Sequence, residues 1–199
     1  MDSLPTPSIL IDRPRLLANL RRLQSHCDRH GIELRPHIKT HKMVAVAREQ
    51  LAAGARGLTC AKIGEAEAML PSGVRSFFIA HSLVDPRQAP RLAALSDQLD
   101  DLRVAVTSEL HFEALERLAG LVGRRLRVMM AVDTGLGREG ARDDAAAERL
   151  AGRLAGSSRL ELRGLYSHEG FFYGLPPAEH EAKVASMLDR LAALRDRID

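Results

Sequence analysis

The sequence predicts an α/β fold in which a parallel sheet curves into a (β/α)8 barrel of the TIM type, with six of the eight strands inside these 199 residues. Short apolar runs alternate with segments of helical periodicity along the chain. Several runs are apolar at nearly every position, as in 126–132, which is typical of strands covered on both faces. Polar residues follow every predicted strand, which favours a barrel, because an open sheet gathers its chemistry at one switch point.

The elements follow one another in a regular order. A short apolar strand is predicted over 8–12, and Pro14 then stands where a first helical residue would, followed by leucines at helical spacing. The predicted barrel strands are 33–39, 57–61, 76–81, 102–107, 126–133 and 160–167. The predicted helices after them are 43–53, 64–71, 86–98, 109–121, 143–155 and a last one from about 177. Six strands cannot close the barrel, so we expect further residues or other chains to complete it.

Composition excludes several classes of function. The 29 basic and 26 acidic residues are intermixed and give a net charge of +3, without the basic block typical of nucleic-acid binding. There are two cysteines, Cys27 and Cys60, too few for a disulfide framework. No leader pattern and no membrane-length apolar run occurs. We therefore expect a cytoplasmic protein that binds neither nucleic acid nor a membrane.

Candidate chemistry is concentrated in Arg35-Pro36-His37-Ile38-Lys39-Thr40-His41-Lys42, at the end of the first predicted barrel strand. Strand alternation would place Arg35, His37 and Lys39 on one face, with Lys39 at the mouth of the barrel. A lysine among other cations in a shielded mouth can act as an amine nucleophile. Lys42 would open the following helix as a solvated charge. Because lysine is mostly a surface residue, an ordinary exposed Lys39 also fits the spacing.

This segment resembles the cofactor-lysine motif of the D-threonine aldolase and eukaryotic-type D-serine dehydratase family, whose barrel is of the alanine racemase N-terminal domain kind. Four further segments resemble the same family in the same order: Thr6-Pro7-Ser8, 57–67, 133–140 and 165–170. The resemblance therefore spans nearly the whole chain. It implies that residues 1–199 are a partial barrel that binds pyridoxal 5'-phosphate (PLP).

The resemblance also implies roles for four residues. Lys39 would form the Schiff base with PLP, and Arg138, Tyr166 and His168 would contact the cofactor, with His168 and Lys39 as catalytic residues. The implied activity is that of a lyase on small D-3-hydroxy amino acids, of the D-serine dehydratase or D-threonine aldolase type. Without the resemblance, Arg138 reads as a surface charge in a glycine-rich turn, and Tyr166 and His168 as ordinary rim residues.

Two features depart from relatives in the wider family. Residue 131 is alanine where the racemase branch has a lysine, which argues against a plain alanine racemase. The aldolase and dehydratase branch also uses a later phosphate-binding loop and a divalent metal, Zn or Mn, held by a C-terminal β-domain. We expect both outside residues 1–199, no metal ligands within them, little activity from these residues alone, and a homodimer at full length.

A function of another class stays open. Single-domain barrels that handle free PLP without catalysis also keep the lysine of the first strand, so the chain could belong to a cofactor carrier in PLP homeostasis. Two weaker interpretations are that the chain is an inactive truncated remnant or a fragment with a structural role. The length of the natural gene product would separate a carrier from a two-domain enzyme.

Overall fold

The computed structural model describes residues 4–172 and 174–198, and residues 1–3, Tyr173 and Asp199 lie outside the described part. Five parallel strands form one sheet in the order of the chain: β1 Leu58–Cys60, β2 Ser76–Ile79, β3 Asp101–Val106, β4 Leu126–Ala131 and β5 Leu160–Tyr166. The α-helices are α1 Arg13–Arg29, α2 Val44–Ala52, α3 Ile63–Met69, α4 Ala89–Asp97, α5 Glu109–Val122, α6 Asp144–Ala155 and α7 Pro177–Ile198. The α/β class and the partial barrel are confirmed.

The core lies between the sheet and the helices that connect its strands. Phe77, Ile79, Val104, Val128 and Met130 from the strands are almost fully buried, and α4, α5 and α6 each add two buried leucines. Burying such side chains stabilises the fold by roughly 1.5–3 kcal/mol each. Because consecutive right-handed βα units all run the same way, the carboxyl ends of the five strands lie on one side.

The predicted strand over 33–39 is wrong as a strand, so the sheet has five strands rather than six. Residues 34–37 run parallel to β1 and are joined to it by Arg56 N–H to Leu34 O (2.9 Å) and Thr59 N–H to Pro36 O (2.8 Å). Pro36 has no N–H to donate to a ladder. Beyond it the chain turns into a 3₁₀ helix over Ile38–Thr40, because His37 Nδ1 accepts a hydrogen bond from Lys39 N–H.

The predicted strand over 8–12 is also wrong. These residues adopt no strand, and Ile9 is 97% exposed, because no neighbouring strand in the described chain offers them a hydrogen-bonding edge. Asp12 instead caps α1 by accepting a hydrogen bond from Arg15 N–H at 3.0 Å. The predicted helix start at Pro14 is confirmed to within one residue.

A bulge in β5 adjusts the last strand. Its register on β4 shifts so that Val128 pairs with Leu162 but Met130 pairs with Leu165. Gly164, with φ of 143°, lies in the bulged segment between Leu162 and Leu165, which contains one extra residue. The shift brings Tyr166 opposite Ala131 at the carboxyl end of the sheet.

Among the described helices, none combines the length and apolar character needed to cross a bilayer.

Candidate functional site

A cavity of about 220 Å³ opens at the carboxyl ends of the strands. Its lining is formed by His37, Lys39, Thr59, Phe78, Ala80, His81, Arg138, Tyr166, Ser167 and His168. Neighbouring strand ends touch there, since the hydroxyls of Thr134 and Ser167 lie 2.6 Å apart. The prediction that Lys39, Arg138 and His168 face a common cavity is confirmed.

Lys39 is placed by a turn that is held on both sides. On one side, the His37 imidazole accepts the Lys39 N–H at 3.2 Å. On the other, His41 Nδ1 accepts Met43 N–H at 3.0 Å, just before α2 begins. The two histidines of the motif therefore cap backbone groups around the lysine. This explains why histidines flank it, although only His37 lines the cavity.

Tyr166 ends β5 with its ring inside the site. Its hydroxyl donates to the Ala80 carbonyl at 3.3 Å, and its ring packs edge-to-face with Phe78 at 5.0 Å between centroids. Burial, reinforced by the nearby Glu139 carboxylate and opposed by Arg138, raises the pKa of the Tyr166 phenol. Tyr166 therefore stays protonated near neutral pH and provides a flat aromatic wall.

Arg138 lies in a loop that folds back on the end of β4. Asp133 accepts hydrogen bonds from Gly135 N–H (2.9 Å) and Gly137 N–H (3.1 Å), which close the loop. The Arg138 guanidinium pairs with Glu139 at 2.5 Å, and the second Glu139 oxygen lies 3.7 Å from His81 Nδ1. Glu139 thus lies between Arg138 and His81 at the edge of the cavity.

Two imidazoles at the cavity, those of His168 and His37, favour their neutral forms. Burial lowers the pKa of His168, and the nearby Arg138 and Lys39 lower it further, while Glu169 and Glu139 oppose the shift. Burial and the charge on Lys39 likewise lower the pKa of His37. His168 can therefore accept a proton near neutral pH, whereas the acceptor nitrogen of neutral His37 is engaged by Lys39 N–H.

Lys42 differs from its prediction in two ways. It precedes α2 rather than opening it, with a left-handed φ of 49°. It is also no free charge, because its Nζ lies 3.0 Å from Glu65 Oε1. Glu65 lies in the first turn of α3 and also accepts a hydrogen bond from Ala61 N–H at 2.8 Å.

In residues 4–172 and 174–198, no three or more His, Cys, Asp or Glu side chains are grouped so that they could hold a metal ion. Cys27 and Cys60 are buried free thiols. Burial, together with the Glu65 charge, raises the pKa of Cys60 to about 12, so this thiol is not a nucleophile at neutral pH.

The model of the family described as alanine racemase, N-terminal domain, matches residues 11–199. The chain belongs to this family. Its residues 13–166 carry the βα units of the alanine racemase N-terminal domain family as far as the fifth strand of the observed sheet.

Three comparisons specify the relationship. The chain is 32% identical to a D-threonine aldolase of Arthrobacter sp over 94% of its own length and 49% of the relative's. It is 34% identical to D-threo-3-hydroxyaspartate dehydratase of Delftia sp. over 89% of its length and 47% of the relative's. The crystal structure of D-threonine aldolase from Filomicrobium marinum superposes with a TM-score of 0.87 at 29% identity, over 96% of this chain and 53% of that one. The chain thus spans about half the length of these relatives.

Sequence reasoning missed two residues of the site and one contact. His81 lines the cavity, and Glu139 faces it, but neither was predicted as a site residue. His81 carried a signal, since it stands at the end of a predicted strand, and Glu139 directly follows Arg138. No sequence signal indicated the contact between Lys42 and Glu65, because the two residues are 23 positions apart in the chain.

A buried histidine lies behind the mouth. His111 is 3% exposed, its Nε2 lies 3.0 Å from Leu83 N, and its Nδ1 lies 3.2 Å from Thr107 Oγ1. Thr107 in turn lies 2.9 Å from Ser82 Oγ, so the histidine ties two strand ends together. Ser82 therefore joins this network, whereas Ser108 caps α5 by accepting a hydrogen bond from His111 N–H.

We expect the free energy of unfolding to fall between pH 7 and pH 5.5. Burial lowers the pKa of His111, despite opposing contributions from the Leu83 backbone and Glu139. Below the unfolded pKa of about 6.5 the unfolded chain then binds more protons than the folded one, so acid destabilises, by up to about 1.4 kcal/mol per pH unit for each such histidine. Urea titrations should show a shallower loss for His111→Gln. An equal loss in both proteins would contradict this.

Proposed function

We propose that this chain supplies the cofactor-lysine part of a PLP-dependent lyase that acts on D-3-hydroxy amino acids, with Lys39 as the lysine that bonds to PLP. Membership of the alanine racemase N-terminal domain family supports the proposal. So do the names of its relatives, an aldolase for D-threonine and a dehydratase for D-threo-3-hydroxyaspartate. Because the chain covers about half of each relative, the activity belongs to the proposal and not to the comparisons.

The observation that carries the proposal is the position of Lys39 in one cavity with Arg138 and His168. The side chains there suit PLP, which is a flat anionic ring. Cationic groups on Lys39 and Arg138 match its negative charges, and Tyr166 and Phe78 offer aromatic surface. The cofactor, when bound, supplies an electron sink for a carbanion at Cα of the amino acid.

The protein residues then divide the remaining work. Lys39 would hold the cofactor through its Nζ, and the same Nζ could move a proton in the cavity. His168, neutral near pH 7, accepts a proton in the same cavity. Arg138 favours a negatively charged oxygen beside it, while the protonated Tyr166 hydroxyl is engaged by Ala80 and holds its ring in place.

The same described residues serve an aldolase and a dehydratase. The choice would depend on the group that acts at the β-hydroxyl. We assign that group to a divalent metal, Zn or Mn, bound by residues outside this chain. The proposal therefore commits to a D-3-hydroxy amino acid, and leaves the bond that breaks to be read from the products.

The test uses the natural gene product. After loading with PLP and reduction with borohydride, peptide mapping should place the label on Lys39 rather than on Lys42, Lys62 or Lys183, the other lysines of these residues. Turnover should be seen with D-threonine, D-serine or D-threo-3-hydroxyaspartate and not with their L-enantiomers. Glycine plus an aldehyde indicates an aldolase, and a 2-oxo acid plus ammonia a dehydratase. Label on Lys39 without turnover indicates a carrier instead, and label elsewhere contradicts the assignment of Lys39.

A further inference from the structure

We propose that Lys42 and Glu65 are positioning residues whose ion pair fixes the turn that carries Lys39 and keeps the Lys42 amine out of the cavity. The inference rests on the proposed role of Lys39. It assigns a task to the second lysine of the motif, which the proposed reaction leaves unused.

The backbone conformation of Lys42 is the first feature that supports a fixed turn after Lys39. Its φ of 49° is left-handed, and among the described residues it is the only one other than glycine with a positive φ. A side chain makes this conformation costly, so it persists where surrounding contacts impose it. Here Ile38 O accepts hydrogen bonds from Lys42 N–H (2.9 Å) and His41 N–H (3.2 Å), which close the turn directly after Lys39.

The side chain of Lys42 then reaches a fixed anchor. Glu65 is 8% exposed, and both of its carboxylate oxygens are engaged, one by Ala61 N–H at 2.8 Å and one by Lys42 Nζ at 3.0 Å. Since the Lys42 side chain is 57% exposed, the buried carboxylate is the fixed partner and the lysine is the one that is held. A buried carboxylate that loses its cation is strongly disfavoured, so the pair resists opening.

The geometry separates two amines that stand three residues apart. Lys39 lines the cavity, and Lys42 does not. Both are chemically able to react with an aldehyde. The left-handed turn directs Lys42 toward α3, where Glu65 holds it, so Lys39 alone is presented to the cofactor.

The chain offers a matched control for the test. Glu67 lies two residues after Glu65 on α3 and pairs with Arg91 at the surface, away from the cavity. Glu65→Gln removes one charge with little change of shape, and Glu67→Gln makes the same change in a pair without a proposed role. Each protein is labelled with PLP and borohydride, and separately with formaldehyde and cyanoborohydride, and the label is mapped on all four lysines.

In Glu65→Gln, we expect the share of PLP label on Lys42 to rise and the affinity for PLP to weaken by up to about fivefold, the size expected for losing an ion pair whose lysine is exposed. Glu67→Gln should match the unaltered protein. Lys42→Arg, which keeps the ion pair, should also retain full affinity, whereas Lys42→Met should lose it as Glu65→Gln does. A general loss of folding would instead raise the labels on Lys62 and Lys183 together, so Lys42→Met, at an exposed position, then carries the test.

Equal PLP affinity and equal label on Lys39 in Glu65→Gln and Glu67→Gln would overturn the inference. Failure of the proposed function looks different, because PLP would then miss Lys39 in the unaltered protein. The formaldehyde labels need no cofactor site. A rise at Lys42 in Glu65→Gln, and not in Glu67→Gln, would still support the ion pair as the restraint on this turn.

Discussion

Replacement of Lys39 by alanine is expected to abolish covalent PLP loading of the natural gene product and to lower kcat at least about a thousandfold, because the reaction then lacks its amine nucleophile. Lys39 is the only lysine among the described residues that line the cavity. The other three lysines, Lys42, Lys62 and Lys183, do not line it. The visible absorbance of the bound cofactor and the initial rate with D-threonine measure the two effects.

Lys62→Ala is a suitable control for this experiment. Lys62 precedes α3, is exposed and makes no side-chain capping bond to the helix. We expect its removal to change neither the absorbance nor the rate. A Lys39→Ala protein that still held PLP covalently and turned over substrate would refute the role of Lys39, whatever the state of the cavity.

The alternation of strands and helices could be predicted because each element carries its own local signal. The apolar run of β4 and the Ser108 cap of α5 are examples, and both are found where the sequence places them. The convergence of Lys39, Arg138 and His168 followed from the shared direction of the strands. What could be predicted was therefore whatever depends on period and on chain direction.

The segment before β1 shows where such reasoning fails. Its apolar and polar residues alternate like those of a strand, but Pro36 cannot donate and His37 captures the Lys39 N–H. The left-handed conformation of Lys42 is even less predictable, since the residue is neither glycine nor asparagine, the types that usually indicate a positive φ. Its side chain pairs with Glu65, and a contact between residues so far apart in the chain appears in no local pattern.

A glycine in the Arg138 loop cannot carry a side chain without a large loss of stability. Gly140 has φ of 103°, and a Cβ there would lie 2.8 Å from Asp133 N and 2.9 Å from Val132 C, both backbone atoms that cannot swing aside. The loop must pass this close because Asp133 N–H donates to Ala141 O at 2.9 Å. We expect Gly140→Ala to lower the free energy of unfolding by about 3 kcal/mol or more, since strain in φ and a backbone clash add.

Gly137→Ala separates the two causes in the same loop. Gly137 also has a positive φ, 72°, but a Cβ there would meet nothing within 4 Å, so the substitution should cost only about 1–2 kcal/mol of backbone strain. Urea unfolding of both variants measures the difference, which reports the clash at Gly140 together with the greater strain of its φ. Because that clash lies against the end of β4, Gly140→Ala should also displace Arg138 and weaken PLP binding under conditions where the protein stays folded. Equal losses of stability in the two variants would mean that the loop can move away from β4, and that the position of Arg138 does not depend on this close approach.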